Sequence, residues 1–322
     1  MIIRLVSLIC GALITTAVPS YAAEQYPARP IRFVVPYAPG GGSDIVARLI
    51  GQKLGDRLGT TFVVDNRPGA ASMMATELVA RAPNDGYTLI LSDAPHAINV
   101  ATYKHVNYDA VKDFAPIMVV ANAPQILAAH PSFAVDTVKE LLALPKAQTE
   151  KFAMGSAGQG SAGHMSYELL RLRTGLVLNH VPYKGGGAAI TDLVAGQIQL
   201  MFNATPPILP HLQTKRIKGL GLTAAKRNAL IPTIPTFEES GVPNFVVGSW
   251  YGVLAPAGTP RHIIDLLQKE IRFAMDQPDV QARFTALALE PDGRGPDDFR
   301  RLIESDVRRW RETAAKANLR FE

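Results

Sequence analysis

The sequence predicts an α/β protein of two lobes, each a mostly parallel sheet with helices on both faces, around one ligand cleft. Three observations carry this. Short apolar runs alternate with helical periodicity along most of the chain, which calls for parallel strands covered on both sides. Two strand-to-helix turns, at 40–42 and 155–163, are led by glycines and lie in separate halves of the chain. In open α/β sheets a ligand sits at the carboxyl ends of strands over helix N-termini, so two such turns face one cleft. A chain of 322 residues, 47% hydrophobic and 19% charged, buries a core of this size.

Taken in order, residues 33–35 form a buried strand that Pro36 and Pro39 end. Gly40, Gly41, Gly42, Ser43 and Asp44 follow, and then Val46, Leu49, Ile50, Leu54 and Leu58 recur at helical spacing. Strands at 61–64 and 87–91 flank a helix at 72–82. Extended runs at 117–120 and 126–130 are separated by Ala123-Pro124. A helix led by Asp136 or Thr137 comes next, then a strand at 152–154 and a helix at 161–174. The middle closes with a strand at 176–181, a helix at 188–195 and a strand at 199–203. Strands at 218–223 and 245–254 precede three terminal helices at 260–275, 278–289 and 296–315. The sequence shows no internal repeat and no low-complexity linker.

Residues 1–22 read as a secretion signal: Arg4, an uncharged apolar stretch over 5–18, and Ser20-Tyr21-Ala22 as a small-x-small cleavage site. The run is too short for a stable membrane anchor. The single cysteine, Cys10, lies inside it, and bulky Ile9 beside it argues against a lipoprotein signal. The mature chain then has no cysteine, which excludes disulfides, cysteine nucleophiles and thiolate metal sites. A secreted protein without disulfides suits a bacterial periplasm. The net charge is +5. Its Lys and Arg are scattered without an aromatic-interleaved stripe, so no nucleic-acid partner is expected. The mild positive charge fits attraction of small anions and fits general solubility equally well.

Strand, glycine turn and helix N-terminus make an anion site, because close backbone, unpaired N–H groups and the helix dipole converge there. The second turn contains a literal G-x-G-x-x-G (Gly158, Gly160, Gly163). A dinucleotide fold also needs an acid at the end of the next strand, and Val181-Pro182-Tyr183-Lys184 offers none. A hydrolase would use Ser156 or Ser161 with His164. Position 154 is Met and 159 is Gln, so the nucleophile-elbow glycines are absent, and Ser161 reads first as a helix cap. The seven His are dispersed without zinc-site spacing. No cofactor or metal is expected.

Other polar groups stand where a cleft would be. His96 and Asn99 follow the strand ending at 91, and Asn203 ends a strand as an uncharged donor and acceptor. Asp93 is odd in an anion site: it faces away, binds backbone N–H groups, or meets a cationic part of the ligand. Asp44 is either a first-turn acid or a ligand contact. Tyr183-Lys184-Gly185-Gly186-Gly187 repeats the glycine theme, with Lys184 read as a solvated charge and Tyr183 open to either role. Arg67 either pairs a ligand carboxylate or braces its loop.

The stretches YPARPIRFVVPYAPGGGSDIVAR, VVDNRPGA, NDGYTL, HAIN, KDFAPI, GSAGQGSAGH, HVPYKGGGAAITDLVAGQIQLMF, PTIPTFEESGVPNF and SWYGVLAPAGTP occur in that order. Together they resemble the extracytoplasmic solute-binding receptors of the tripartite tricarboxylate transporter family, the Bug receptors, from about residue 26 to the C-terminus. The resemblance implies a periplasmic, type II-like Venus-flytrap fold with lobe 1 at 23–122 plus 248–322, lobe 2 at 123–247, and crossings near 121–125 and 246–248. It implies no catalysis, a small organic acid (mono- or dicarboxylate) held largely by backbone N–H groups and bridging waters, permease subunits as partners, and a monomer. Carried over by motif position, the ligand contacts are Tyr37, Gly40, Gly41, Asp44, Ser92, His96, Ser156, Gly158, Ser161, His164, Tyr183 and Asn203. Exchange of His96 or Asn203 for Ala is expected to weaken binding with the fold intact. Departures fall at Asn203, where the family commonly has Asp, with Ala204-Thr205-Pro206-Pro207 after it, and at Asp93-Ala94-Pro95 before His96. Two rival functions are a receptor that reports to a signalling system and a secreted hydrolase using Ser161 and His164.

Overall fold

The computed structural model describes residues 26–322; the expected 1–22 leader lies outside them. The first half runs β1 (Ile31–Val35), α1 (Gly42–Leu58), β2 (Phe62–Asn66), α2 (Met73–Ala80), β3 (Thr88–Ser92), α3 (Pro95–Thr102) and β4 (Phe114–Ala129). The middle runs α4 (Val138–Ala143), α5 (Lys146–Thr149), β5 (Ala153–Ser156), α6 (Ala162–Thr174), β6 (Asn179–Pro182), α7 (Gly186–Val194), β7 (Leu200–Ala204), α8 (Thr205–Gln213) and β8 (Lys218–Leu222). Last come β9 (Gly248–Pro256), α9 (Arg261–Met275), α10 (Pro278–Ala286), β10 (Glu290–Pro291) and α11 (Pro296–Ala317).

The strands form two lobes joined through one strand. In the first, β1 pairs in parallel with β2 and β3, and β9 lies antiparallel between β3 and β4. In the second, β5 pairs in parallel with β6 and β7, while the end of β4 lies antiparallel to β7 and β8. The expected mostly parallel sheets are therefore present, each with one long antiparallel strand. These are β9 in the first and β4 in the second, and β4 differs from expectation. The two runs read at 117–120 and 126–130 are halves of one 16-residue strand, β4. Up to Pro124, which pairs with Gly248, it belongs to the first sheet; from Gln125 it pairs with β7. Proline has no N–H to give, so it is tolerated where a strand leaves one ladder for another.

Both sheets are covered on two faces. In β1, Ile31, Phe33 and Val35 pack in one core with Val46, Ile50 and Leu54 of α1, whereas Val34 points into another with Ala75 and Val79 of α2. The same alternation in β7 sends Met201 toward Ile190 and Leu193, and Phe202 toward Val138 and Met165. Three helices were not expected: α3, the short α5 and α8. In α3 and α8 prolines stand in the first turn, where N–H groups lack helical partners anyway, so Pro95, Pro206 and Pro207 open helices that read as loops.

Helix α11 buries Phe299, Ile303, Val307, Trp310 and Ala314 at a helical period and packs on α3, β4 and α6, touching both lobes. The Phe299 ring lies edge-on to Trp250 at 5.0 Å, and a Cβ at Gly252 would meet that ring at 2.3 Å, so only glycine admits it. Phe299→Ala should cost about 3–5 kcal/mol in urea unfolding; a loss below about 1 kcal/mol would contradict this packing.

Candidate functional site

A cavity of ≈ 300 Å³ lies between the lobes. Its first-lobe wall comes from Tyr37, Gly41, Gly42, Ser43, Asp93, Ser249 and Tyr251, and its second-lobe wall from 159–163, 185–187, Asn203 and Pro207. Gln125, at the crossing of β4, lies between them. A second cavity of ≈ 240 Å³, lined by Pro124, Trp250, Arg294 and Asp306, includes neither glycine turn.

Three helix N-termini open onto the interlobe cavity. Helix α1 begins after Gly41 with no side-chain cap, which leaves the N–H groups of Gly42 and Ser43 without acceptors among the described residues. Helix α7 begins after Gly185, also uncapped, so Gly186 and Gly187 present theirs. Helix α6 is capped by Ser161, whose Oγ accepts the N–H of His164 at 3.3 Å, leaving Ala162 and Gly163 free. A Cβ at Gly163 would come within 2.4 Å of the Phe202 carbonyl oxygen, so glycine alone lets this N-terminus sit on β7. No Lys or Arg lines the cavity among the described residues. Such a site draws an anion by dipole and hydrogen bond alone.

Of the ligand contacts carried over by the resemblance, Tyr37, Gly41, Ser161 and Asn203 line the cavity, and Asp93, singled out beside them, lines it too. Asn203 accepts the Ala204 N–H at 2.9 Å, and its Nδ2 is buried against Gly186 without a partner among the described residues. The others are absent from the wall and are held within their own lobe. Asp44 accepts from the Gly40 N–H at 2.9 Å, Asn66 at 3.0 Å and Arg48 at 3.0 Å. Ser92 is buried opposite Gly252. Ser156 Oγ donates to the Gly158 carbonyl, accepts the Gly158 N–H and meets His180 Nε2 at 2.7 Å. Tyr183 donates to Asp192 at 2.7 Å. His164 Nδ1 accepts the Gly160 N–H at 3.1 Å, while its ring stacks on His180 with centroids 4.0 Å apart. The Ser161 hydroxyl thus serves the backbone of His164, not its ring. His96 is fully buried against Tyr108 and Phe114, its Nε2 2.8 Å from the Ala110 carbonyl oxygen. Replacing it with Ala therefore removes core packing, contrary to the expectation that the fold would stay intact. Arg67 pairs with Asp65 and braces its loop, and Lys184 is exposed. Sequence reasoning missed Ser43, Gln125, Ser249 and Tyr251. Gln125 sits beside the expected crossing and Ser249 and Tyr251 lie in the SWYG stretch, which were the available signals.

The family model described as the tripartite tricarboxylate transporter family receptor matches residues 46–319. The chain belongs to this family. BugT of Bordetella pertussis is 36% identical over 321 residues, covering 97% of this chain and 98% of that protein. Among solved structures, an R. palustris protein with adipate superposes with a TM-score of 0.85 at 34% identity, over 92% of this chain and 100% of that one. MatC from Rhodopseudomonas palustris, with bound malate, gives 0.82 at 33%, over 89% and 99%. The periplasmic binding protein BugD gives 0.83 at 33%, over 92% and 100%. These are solute-binding receptors, not enzymes, and the present receptor shares their two-lobed fold. Among its described residues no helix is long and apolar enough to cross a membrane.

The receptor's buried ionisable groups set its response to acid. Burial pushes His96 down to about 4, His180 to about 4 and His164 to about 3, the last helped by His180 and Arg171. Asp44 is also buried, but hydrogen bonds from Arg48, Gly40 and Asn66 overcome that and hold it below the usual carboxylate range. Asp93, whose one hydrogen bond comes from Tyr37, is raised by burial to about 7. The three imidazoles stay neutral in the fold but take protons near pH 6.5 once unfolded. The unfolded chain then binds more protons from pH 6.5 down to about 4, so stability falls as pH falls through that window. Asp93 acts oppositely, its folded carboxyl keeping a proton up to pH about 7, but one carboxyl is outweighed by three imidazoles. The melting temperature should therefore drop by several degrees between pH 6.5 and about 4.5, and less steeply in His180→Asn. A flat profile would contradict these burials.

Proposed function

We propose that the chain is a periplasmic receptor that captures a small organic carboxylate in the interlobe cleft and delivers it to permease subunits of a tripartite tricarboxylate transporter. One observation carries the reading: N–H groups of three helix N-termini, drawn from both lobes, meet in one cavity that no cationic side chain lines among the described residues. The binding of adipate and malate by two relatives supports it. Export would follow from the 1–22 leader, and the receptor would act as a monomer. Lobe 1 would comprise 23–122 and 248–322 and lobe 2 residues 123–247, hinged where β4 passes from one sheet to the other and the chain returns into β9. Closure then buries the anion, driven by its stronger binding to the closed state.

The N–H groups of Gly42, Ser43, Gly163, Gly186 and Gly187, with Tyr37, Ser161 and Asn203, would contact the ligand. Gly40, Asp44, Ser92, His96, Ser156, Gly158, His164 and Tyr183 would hold the turns in place behind them. A thermal-shift screen of mono-, di- and tricarboxylates tests the reading. A ligand at about a hundred times its dissociation constant adds about 2.7 kcal/mol, several degrees in melting temperature. Silence across all acids would overturn it. With a hit in hand, Asn203→Ala should weaken binding about tenfold in calorimetry while the ligand-free melting point stays within about 2 °C, because Asn203 makes only one local hydrogen bond. Unchanged affinity would remove Asn203 from the site.

A further inference from the structure

We infer that Asp93 makes this cleft selective for acids that also carry a cationic amine. The inference rests on the carboxylate-receptor reading above and names the second half of the ligand. Asp93 lines the cavity yet is only 7% exposed. Its Oδ2 accepts the Tyr37 hydroxyl at 2.7 Å, and its Oδ1 has no partner among the described residues.

The usual structural uses of such an acid do not apply. Asp93 stands two residues before α3, where a carboxylate commonly caps, but no backbone N–H donates to it; the Ala94 N–H goes to Ser249 Oγ at 3.3 Å. Among the described residues none lining the cavity is Lys, Arg or His. Asp44 shows the contrast: equally buried, it is satisfied by a backbone N–H, an Asn and an Arg. A buried carboxylate with one neutral donor is costly unless something completes its shell. Gln125 also lines the cavity, and its side-chain oxygen is buried without a partner among the described residues. An ammonium has three N–H groups and no lone pair, which suits a carboxylate oxygen that lacks a donor. With its carboxylate over the helix N-termini, an amino acid presents both charges to matching ends of the cleft. A plain dicarboxylate instead brings its second anion toward Asp93, where no cation waits, so the same residue rejects it.

Calorimetry at pH 7.5 on matched pairs tests this: 4-aminobutanoate against butanoate, aspartate against succinate, and glutamate against glutarate. In the native protein the amino member of at least one pair should bind about tenfold or more tighter than its match. In Asp93→Asn, which keeps the shape and can still meet Tyr37, that preference should shrink to within about twofold. Equal or tighter binding of the plain acids, or a preference that survives in Asp93→Asn, overturns the inference and leaves the receptor reading standing. If none of the six binds and the wider acid screen is also silent, both fall. If only plain acids outside these pairs bind, the inference alone falls.

Discussion

Everything about the cleft depends on helix N-termini being brought up to it bare. The first turn of a helix carries N–H groups that nothing inside the helix can satisfy. Here α1 and α7 leave them uncapped and α6 caps only the third. That demand explains the glycines. A side chain at Gly163 would strike the Phe202 carbonyl, and one at Gly186 would strike the Asn203 amide. It also explains the lack of basic residues on the wall, since fixed dipoles supply the positive potential. An anion held by backbone needs no long side chain to be ordered first, which limits the entropy lost when it binds.

The turns are held by the groups behind them. Asp44 ties the Gly40 N–H to Arg48 and Asn66, and Asn66 also donates to the Tyr37 carbonyl at 2.9 Å. In the second lobe Ser156 closes on Gly158 and meets His180, which stacks on His164, which in turn accepts from Gly160. Each network is internal to one lobe. The lobes themselves are joined through β4, whose two halves serve different sheets, and by α11 resting on both.

Much of this was legible in the sequence. The alternation of strands and helices, both glycine turns and the Ser161 cap follow from periodicity and local chemistry, and the structure has them within a few residues. The misses have local causes. Pro124 read as a break because a proline interrupts one ladder, whereas here it stands between two. Pro95 and Pro206 read as loop because they precede helices that carry no other start signal. The site was legible as turns and not as side chains. Position along a strand end does not say which way a side chain points once a neighbour offers it a bond. His180 lies 24 residues from Ser156, so their pairing could not be read locally. Asp44 and Asp93 look alike as acids after a strand, and only the folded surroundings separate a satisfied carboxylate from an unsatisfied one.

Backbone recognition is tested most directly by mapping amide resonances of the labelled protein while a bound acid is titrated in. The largest changes are expected on the amides of Gly42, Ser43, Ala162, Gly163, Gly186 and Gly187, with protons moving downfield as they gain an anionic acceptor. Changes centred elsewhere, with these six amides unmoved at saturation, would contradict it.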